Sequence, residues 1–251
     1  MTGFADLVAK VTDPYERQAR LWPALLALLP LFVTIGATYG PRASVFANSI
    51  MLIAACGGLY LLVQISRDRG KALEEKLFVE WGGKPTTQLL RHRDPMIEAA
   101  TKARYHALLS RKIGVAFPDA NQESHDPRAA DDVYQSGVRW LLNRTRDPSR
   151  FHLLFKENIA YGFRRNAFGL KPFALLIALA CFAFVLARHD VLTTNGWGSE
   201  SLSRLPDEAW FSAVVAIVAV VVWIFFVTKR AVKTAAFTYA ETLLRACDEL
   251  D

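Results

Sequence analysis

Cysteine is scarce in this chain, with three among 251 residues, at positions 56, 181 and 247. None belongs to a CxxC pair, which excludes a zinc framework and leaves the three as small core hydrophobes. Histidine is nearly as rare. His92, His106, His125 and His152 lie in one segment, but no HExxH or other metal spacing joins them. No GxSxG occurs, and no cysteine faces an evident base. The stretch Gly82-Gly83-Lys84-Pro85-Thr86-Thr87 falls short of a nucleotide-hydrolysing phosphate loop, because that pattern needs GxxxxGK followed directly by Ser or Thr and a preceding strand. It still offers Lys84 and backbone N–H groups to an anion. Period-two alternation is missing too, so no strands are expected. These absences point away from an enzyme and imply neither a metal nor a cofactor.

What the chain has is segregation. It is 52% hydrophobic with a mean hydropathy of +0.17, yet 22% of its residues are charged. The apolar residues collect in four runs, Leu21–Gly40, Ala43–Ile65, Pro172–Ala187 and Ala209–Val227. At about 1.5 Å of rise per residue, roughly 20 residues cross a ~30 Å hydrocarbon core. Three runs reach that length, and the third is short. The first run starts after about twenty residues that include Asp6, Asp13 and Glu16, and a second span follows at once, unlike a cleaved signal peptide. The third and fourth runs hold no charged residue, which excludes a proton pump built on an internal carboxylate relay.

Lys and Arg set the orientation. The segment from Arg67 to Lys171 holds 20 of the 30 basic residues, whereas the link Arg188–Glu208 holds two against four acids. Both termini and the middle segment are therefore expected on the cytoplasmic side. The expected fold is an all-α membrane protein with four transmembrane helices and a helical cytoplasmic domain inserted between spans 2 and 3. In order, residues 1–20 form an N-terminal cytoplasmic amphipathic segment and 21–65 spans 1 and 2. Residues 66–171 form the basic helical domain, 172–187 span 3, 188–208 an external loop, 209–227 span 4 and 228–251 a cytoplasmic C-terminal helix.

Local signals fill in the elements. Phe4, Leu7, Val8 and Val11 have helical spacing. Asp13-Pro14-Tyr15-Glu16 reads as a helix start, and Pro30 predicts a kink in the helix that follows. Ala54-Ala55-Cys56-Gly57-Gly58 permits close helix approach in lipid. In the middle segment, Asp94-Pro95 signals a helix from Met96 to about Val115, with Glu98 and Lys102 as an i,i+4 pair. Residues 116–128 read as a loop. Ala129–Arg144 and a segment opening at Asp147-Pro148 read as helices, with Asp131 and Asp132 as first-turn acids. Ala236, Tyr239, Leu243, Cys247 and Leu250 form a stripe that packs on the middle domain or on another subunit.

The middle segment interleaves arginine with aromatics. Lys84, Arg91, Arg93, Arg139, Trp140 and Arg144 suit phosphate pairing and base stacking. A basic cytoplasmic segment is equally what the positive-inside rule and anionic lipid heads demand, and 13 acids accompany the 20 bases. Arg164, Arg165 and Asn166 sit at the entry to the third run, where ligand binding would be felt by the membrane bundle.

The layout of two spans, an insert of about 100 residues, two spans and a tail resembles the four-span pore-forming effectors of bacterial anti-phage defence. So do the stretches WGGKPTTQLLRHRD (Trp81–Asp94), TRDPSRF (Thr145–Phe151) and ENIAYGFRRNAFGLKP (Glu157–Pro172). Such effectors are linked to nucleotidyltransferases, and the likeness is to membrane-channel effectors of the Hailong type. The resemblance implies an inner-membrane channel gated by a nucleotide or single-stranded oligonucleotide, with a nucleotidyltransferase as functional partner. One copy encloses too little for a pore, so a ring of identical subunits is implied, a tetramer being favoured. Thr34, Thr38, Asn48 and Ser49 are the polar candidates for its lining. Val214, Val218 and Val221 are candidates for a constriction that gates by dewetting. A reading from another class remains: a membrane-anchored scaffold whose cytoplasmic domain docks a protein partner.

Overall fold

The computed structural model describes residues 13–40, 49–50, 57–191 and 205–250. The stripe at Phe4–Val11, most of the second apolar run including Asn48 and Cys56, and most of the 188–208 link lie outside them. The described residues are helical, with no strand among them. We number the helices α1 (Glu16–Tyr39), α2 (Gly58–Trp81), α3 (Pro85–Gln88), α4 (Ala99–Ile113), α5 (Ala120–His125) and α6 (Pro127–Arg144). Then follow α7 (His152–Arg188), α8 (Asp207–Phe225), α9 (Lys229–Arg245) and α10 (Cys247–Leu250).

Three helices are long and apolar enough to cross a membrane: α1, α7 and α8. The chain divides into two compact units. The first comprises Met1–Ala72 and Gly162–Ala231, the second Leu73–Tyr161 and Val232–Asp251. The division falls inside α2, α7 and the first turn of α9, so each of these helices contributes residues to both.

In the first unit, α1 starts as expected: Asp13 Oδ1 accepts the Glu16 N–H at 2.8 Å, satisfying an otherwise orphaned donor. Its opening turn, Glu16–Leu21, is π-helical. The helix runs on through Pro30, which deprives the Leu26 carbonyl of its donor. Small residues let the long helices approach. Ala209, Ala213 and Ala216 are buried on α8, and Ala24 and Ala27 on α1. On α7, Ala167, Leu170, Ala174, Ala178, Cys181 and Val185 form a buried stripe with helical spacing. α7 is one helix across Pro172, so the third apolar run is the second half of a 37-residue helix rather than a separate short span. Lys171 extends from it to the end of α8, donating to the carbonyls of Ile224 (3.1 Å) and Val227 (2.8 Å). These carbonyls have no intrahelical donor, and a cation suits the negative end of the helix dipole.

The second unit has a core of its own. Leu89 and Leu90, Tyr105, Leu108 and Leu109 of α4, Tyr134, Val138 and Leu141 of α6, and Leu243 and Leu244 of α9 are all buried in it. The C-terminal stripe thus packs on the middle domain, with Ala240 and Cys247 in the same core, and the Trp81 ring lies 6.4 Å from Phe237 and 6.1 Å from Phe78. Cys181 and Cys247 are buried free thiols, as small core hydrophobes would be.

Three local expectations are corrected. Residues 116–128 contain α5, started by a capping box in which Asp119 accepts from the Gln122 N–H and Gln122 accepts from the Asp119 N–H; the D-x-x-Q signal was present in the sequence. Asp94 does not cap α4. It accepts from the Met96 N–H two residues on, and the helix begins at Ala99. Lys102 does not pair with Glu98 but turns inward to the carbonyls of Arg91 and Asp94.

Candidate functional site

The expected ligand residues fall in both units, and each group has its own geometry. In the second unit the motif Trp81–Asp94 is a folded-back loop rather than a free anion cradle. Gly82 and Gly83 both have positive φ, 84° and 130°, a region glycine enters without steric cost. A Cβ on Gly83 would meet Arg91 Nη2 at 2.8 Å. Arg91 explains the fit. It is 9% exposed, forms a two-pronged pair with Asp131 (Nε to Oδ1 2.8 Å, Nη2 to Oδ2 2.6 Å) and donates to the Gly82 carbonyl at 2.9 Å. The hydrogen bond to Asp131 raises its pKa further above the ordinary value despite burial. Arg91 is thereby spent on the fold, and Asp131, expected as a first-turn acid, is its partner.

Lys102 braces the same loop. It is 4% exposed, and burial lowers its pKa although it donates to two carbonyls. Glu123, from α5, is a third brace. Its carboxylate accepts from the His92 N–H and from Tyr134 Oη, both at 2.7 Å. Burial pushes the Glu123 carboxyl up, but these bonds, the Arg93 N–H and the Arg93 charge together hold it below the usual range. Beneath lies a ring cluster. His106 stacks on Tyr134 (5.4 Å between centroids) and meets His92 edge-on (5.0 Å), and its Nε2 lies 2.8 Å from the Leu90 carbonyl. Burial pushes its imidazole down to about 4, so it is neutral and donates to Leu90. Of the two ordinary places for a mid-helix histidine, surface or core, His106 takes the core.

The exposed cations of this unit include Lys84 and Arg93 from the loop and Arg139 and Arg144 from α6. Lys84 donates to Gln135 at 3.1 Å, and Gln135 stands one turn from the exposed Arg139 on α6. Arg144 lies over the half-buried Trp140 ring at 5.7 Å. Arg93, half exposed, is 3.9 Å from Glu123.

In the first unit, the opening turn of α1, α2 and α7 meet around a buried polar junction. Asn166 is fully buried. Its Nδ2 donates to the Ala19 carbonyl at 2.7 Å, and its Oδ1 accepts from Arg165 Nε at 3.3 Å. Arg165 is buried beside it, whereas Arg164, the next residue along α7, is exposed. Three glycines bring the helices this close. A Cβ on Gly70 would stand 1.9 Å from Asn166 Oδ1, on Gly169 2.8 Å from the Arg69 backbone, and on Gly162 2.9 Å from Ala19 Cβ. On the same elements, Glu16 Oε2, Arg20 Nε, Ser66 Oγ and Arg67 Nε are buried without a hydrogen-bond partner. Sequence reading picked out the Arg164-Arg165-Asn166 triplet but not the glycines facing it, which only the crossing of three helices reveals.

The residues considered for a pore are equally specific in place. Thr34 is buried. Its Oγ1 bonds the Pro30 carbonyl at 2.7 Å and lies 2.9 Å from Ser212 Oγ on α8. Since the Thr34 proton goes to Pro30, Ser212 donates to Thr34. Thr38 bonds back to the Thr34 carbonyl, Ser49 is exposed, and Asn48 is outside the described residues. Val214, Val218 and Val221 are 44–54% exposed along one face of α8. Among the described residues no group of His, Cys, Asp and Glu could hold a metal ion.

The class these features define is that of helical proteins with membrane-length apolar helices, here joined to a helical unit with its own core. Compared with protein-family models, with curated proteins and with solved structures, the chain has no match.

Proposed function

We propose that this chain is the subunit of an oligomeric membrane channel whose basic helical domain, on the cytoplasmic face of a bacterial inner membrane, binds a nucleotide or single-stranded oligonucleotide that sets the state of the pore. The observation that carries the reading is the junction on α7. A helix with residues in both units bears a buried Arg-Asn pair where α1 and α2 cross it, beside the Glu16–Arg20 ion pair and buried polar atoms, such as Ser66 Oγ and Arg67 Nε, that lack a hydrogen-bond partner. Native folds seldom tolerate buried orphaned groups, and a site with a second arrangement that satisfies them is a reasonable switch. The outward set Lys84, Arg93, Arg139 and Arg144, with Trp140, supplies the cations and ring face such a ligand needs. Gating further requires that the ligand bind one pore state more tightly than the other. The wider setting, an anti-phage effector paired with a nucleotidyltransferase, rests on the resemblance of layout and motifs, and the fourth span on the length of the apolar run Ala43–Ile65.

The experiment is a planar-bilayer recording of the purified full chain with and without short single-stranded oligodeoxynucleotides. We expect conductance that changes with the oligonucleotide and does so less at higher salt. A protein that inserts yet never conducts under either condition defeats the proposal. One observation favours the scaffold reading: Thr34, a polar candidate for the pore lining, is closed against Ser212. Expression alone separates the two, since an ungated channel depolarises its host and a scaffold does not.

A further inference from the structure

A groove in the first unit is lined by α1, α7 and the end of α8, independently of how the channel is gated. Its volume is about 340 Å³, at the lower end of the range of small-molecule sites and enough for one chain rather than a whole lipid. Its walls are Leu26, Leu29, Phe163, Trp223 and Phe226, with one charged side chain, Arg164. Leu26, Leu29 and Phe226 are 42%, 45% and 73% exposed. On helices of membrane length, such apolar exposure faces hydrocarbon, so the groove opens sideways to acyl chains.

Charge fixes the chemistry of the other end. Arg164 is exposed, and no described side chain pairs with it. Lys171 is already engaged by the carbonyls of Ile224 and Val227 and so marks the end of the apolar helix. Arg164 precedes it by seven residues, about 10 Å of helix, beyond the hydrocarbon edge. An oligonucleotide would need several cations and an open ring face, whereas this groove offers one rim arginine and a buried Trp223.

We infer that the groove binds an anionic phospholipid, with one acyl chain between α1, α7 and α8 and the phosphate on Arg164. The test is native mass spectrometry of the full chain released from micelles containing equal amounts of phosphatidylglycerol and phosphatidylcholine. Phosphatidylglycerol should be retained preferentially. Arg164→Gln should reduce that preference about fivefold, the worth of one cation at a lipid surface. Leu29→Trp, which fills the groove from its exposed side, should reduce retention of both lipids, and Arg146→Gln in the second unit should change neither. Equal retention of the two lipids by the native chain, or an unchanged preference in Arg164→Gln, overturns the inference. So does displacement of the lipid by millimolar glycerol phosphate, which would make the site one for a soluble phosphate.

Discussion

At the residue scale, the most demanding contact is Asn166 against Gly70. The space for a Gly70 side chain is occupied by Asn166 Oδ1, so Gly70→Ala should destabilise the detergent-solubilised protein by about 1–3 kcal/mol, the range for overpacking. Asn166→Ala removes the donor to Ala19 and should cost about 1 kcal/mol. The double variant should cost less than the two single effects together, because the obstructing oxygen is gone. Thermal unfolding of the four proteins measures the coupling; strict additivity would mean the two residues do not meet. His106 gives a second residue-scale prediction. Its folded pKa, about 4, lies below the ordinary 6.5, so the unfolded chain binds a proton that the folded chain refuses. Its contribution is complete above about pH 6.5 and is lost as pH falls from there toward 4. His106→Gln, which can still donate to Leu90, should flatten the loss of melting temperature between pH 7 and 5. The triplet Arg164-Arg165-Asn166 stands out in the sequence by its place at the entry to the third apolar run, but its division into one exposed and two buried residues does not: neighbouring residues on a helix point about 100° apart, and only the packing decides which of them is buried.

At the scale of elements, the loop Trp81–Asp94 depends on a salt bridge with one partner half a domain away in sequence. Asp131→Asn leaves the buried Arg91 charge without its counterion and should raise the rate of proteolytic cleavage in this loop by about tenfold or more, the cost of a charge-assisted hydrogen bond being about 1.5–3 kcal/mol. Arg93→Gln, whose side chain is half exposed, should leave the rate unchanged. The helices themselves were largely legible, because apolar spacing and Asp-Pro starts are local signals. α6 and α9 follow their stripes closely. What escaped were elements whose decisive partner is remote. Lys102 has a ready partner four residues away in Glu98, yet two carbonyls of the braced loop outcompete it. The boundary at Lys171-Pro172 marks where charged residues give way to apolar ones, and composition does not show that one helix, α7, runs across it.

At the scale of the whole molecule, the sequence separated apolar from charged segments, and the structure turns that separation into two units with separate cores. Ligand recognition, if it uses the outward set, belongs to the second of them. Replacing Lys84, Arg139 and Arg144 together by Gln should weaken binding of a short oligodeoxynucleotide by about tenfold or more and flatten its dependence on salt, since each phosphate contact releases a counterion. Arg91 should not be included, because its loss would damage the fold and mimic the same result. Fluorescence anisotropy at two salt concentrations is sufficient; binding that is indifferent to salt would place the ligand elsewhere.

The bond from Lys171 to the end of α8 has a mechanical consequence. α8 is 19 residues long, about 28 Å of helix, and its end is held at a fixed level on α7. A helix of that length nearly equals the hydrocarbon thickness and has little to spare for tilting. With α8 spanning a bilayer, as its length and composition allow, a thicker bilayer could not be met by tilting α8 back toward the normal; it would thin around the protein or stretch the Lys171 contact. The energy of that contact should then vary with the acyl-chain length of the host membrane, making bilayer thickness itself an input to the first unit.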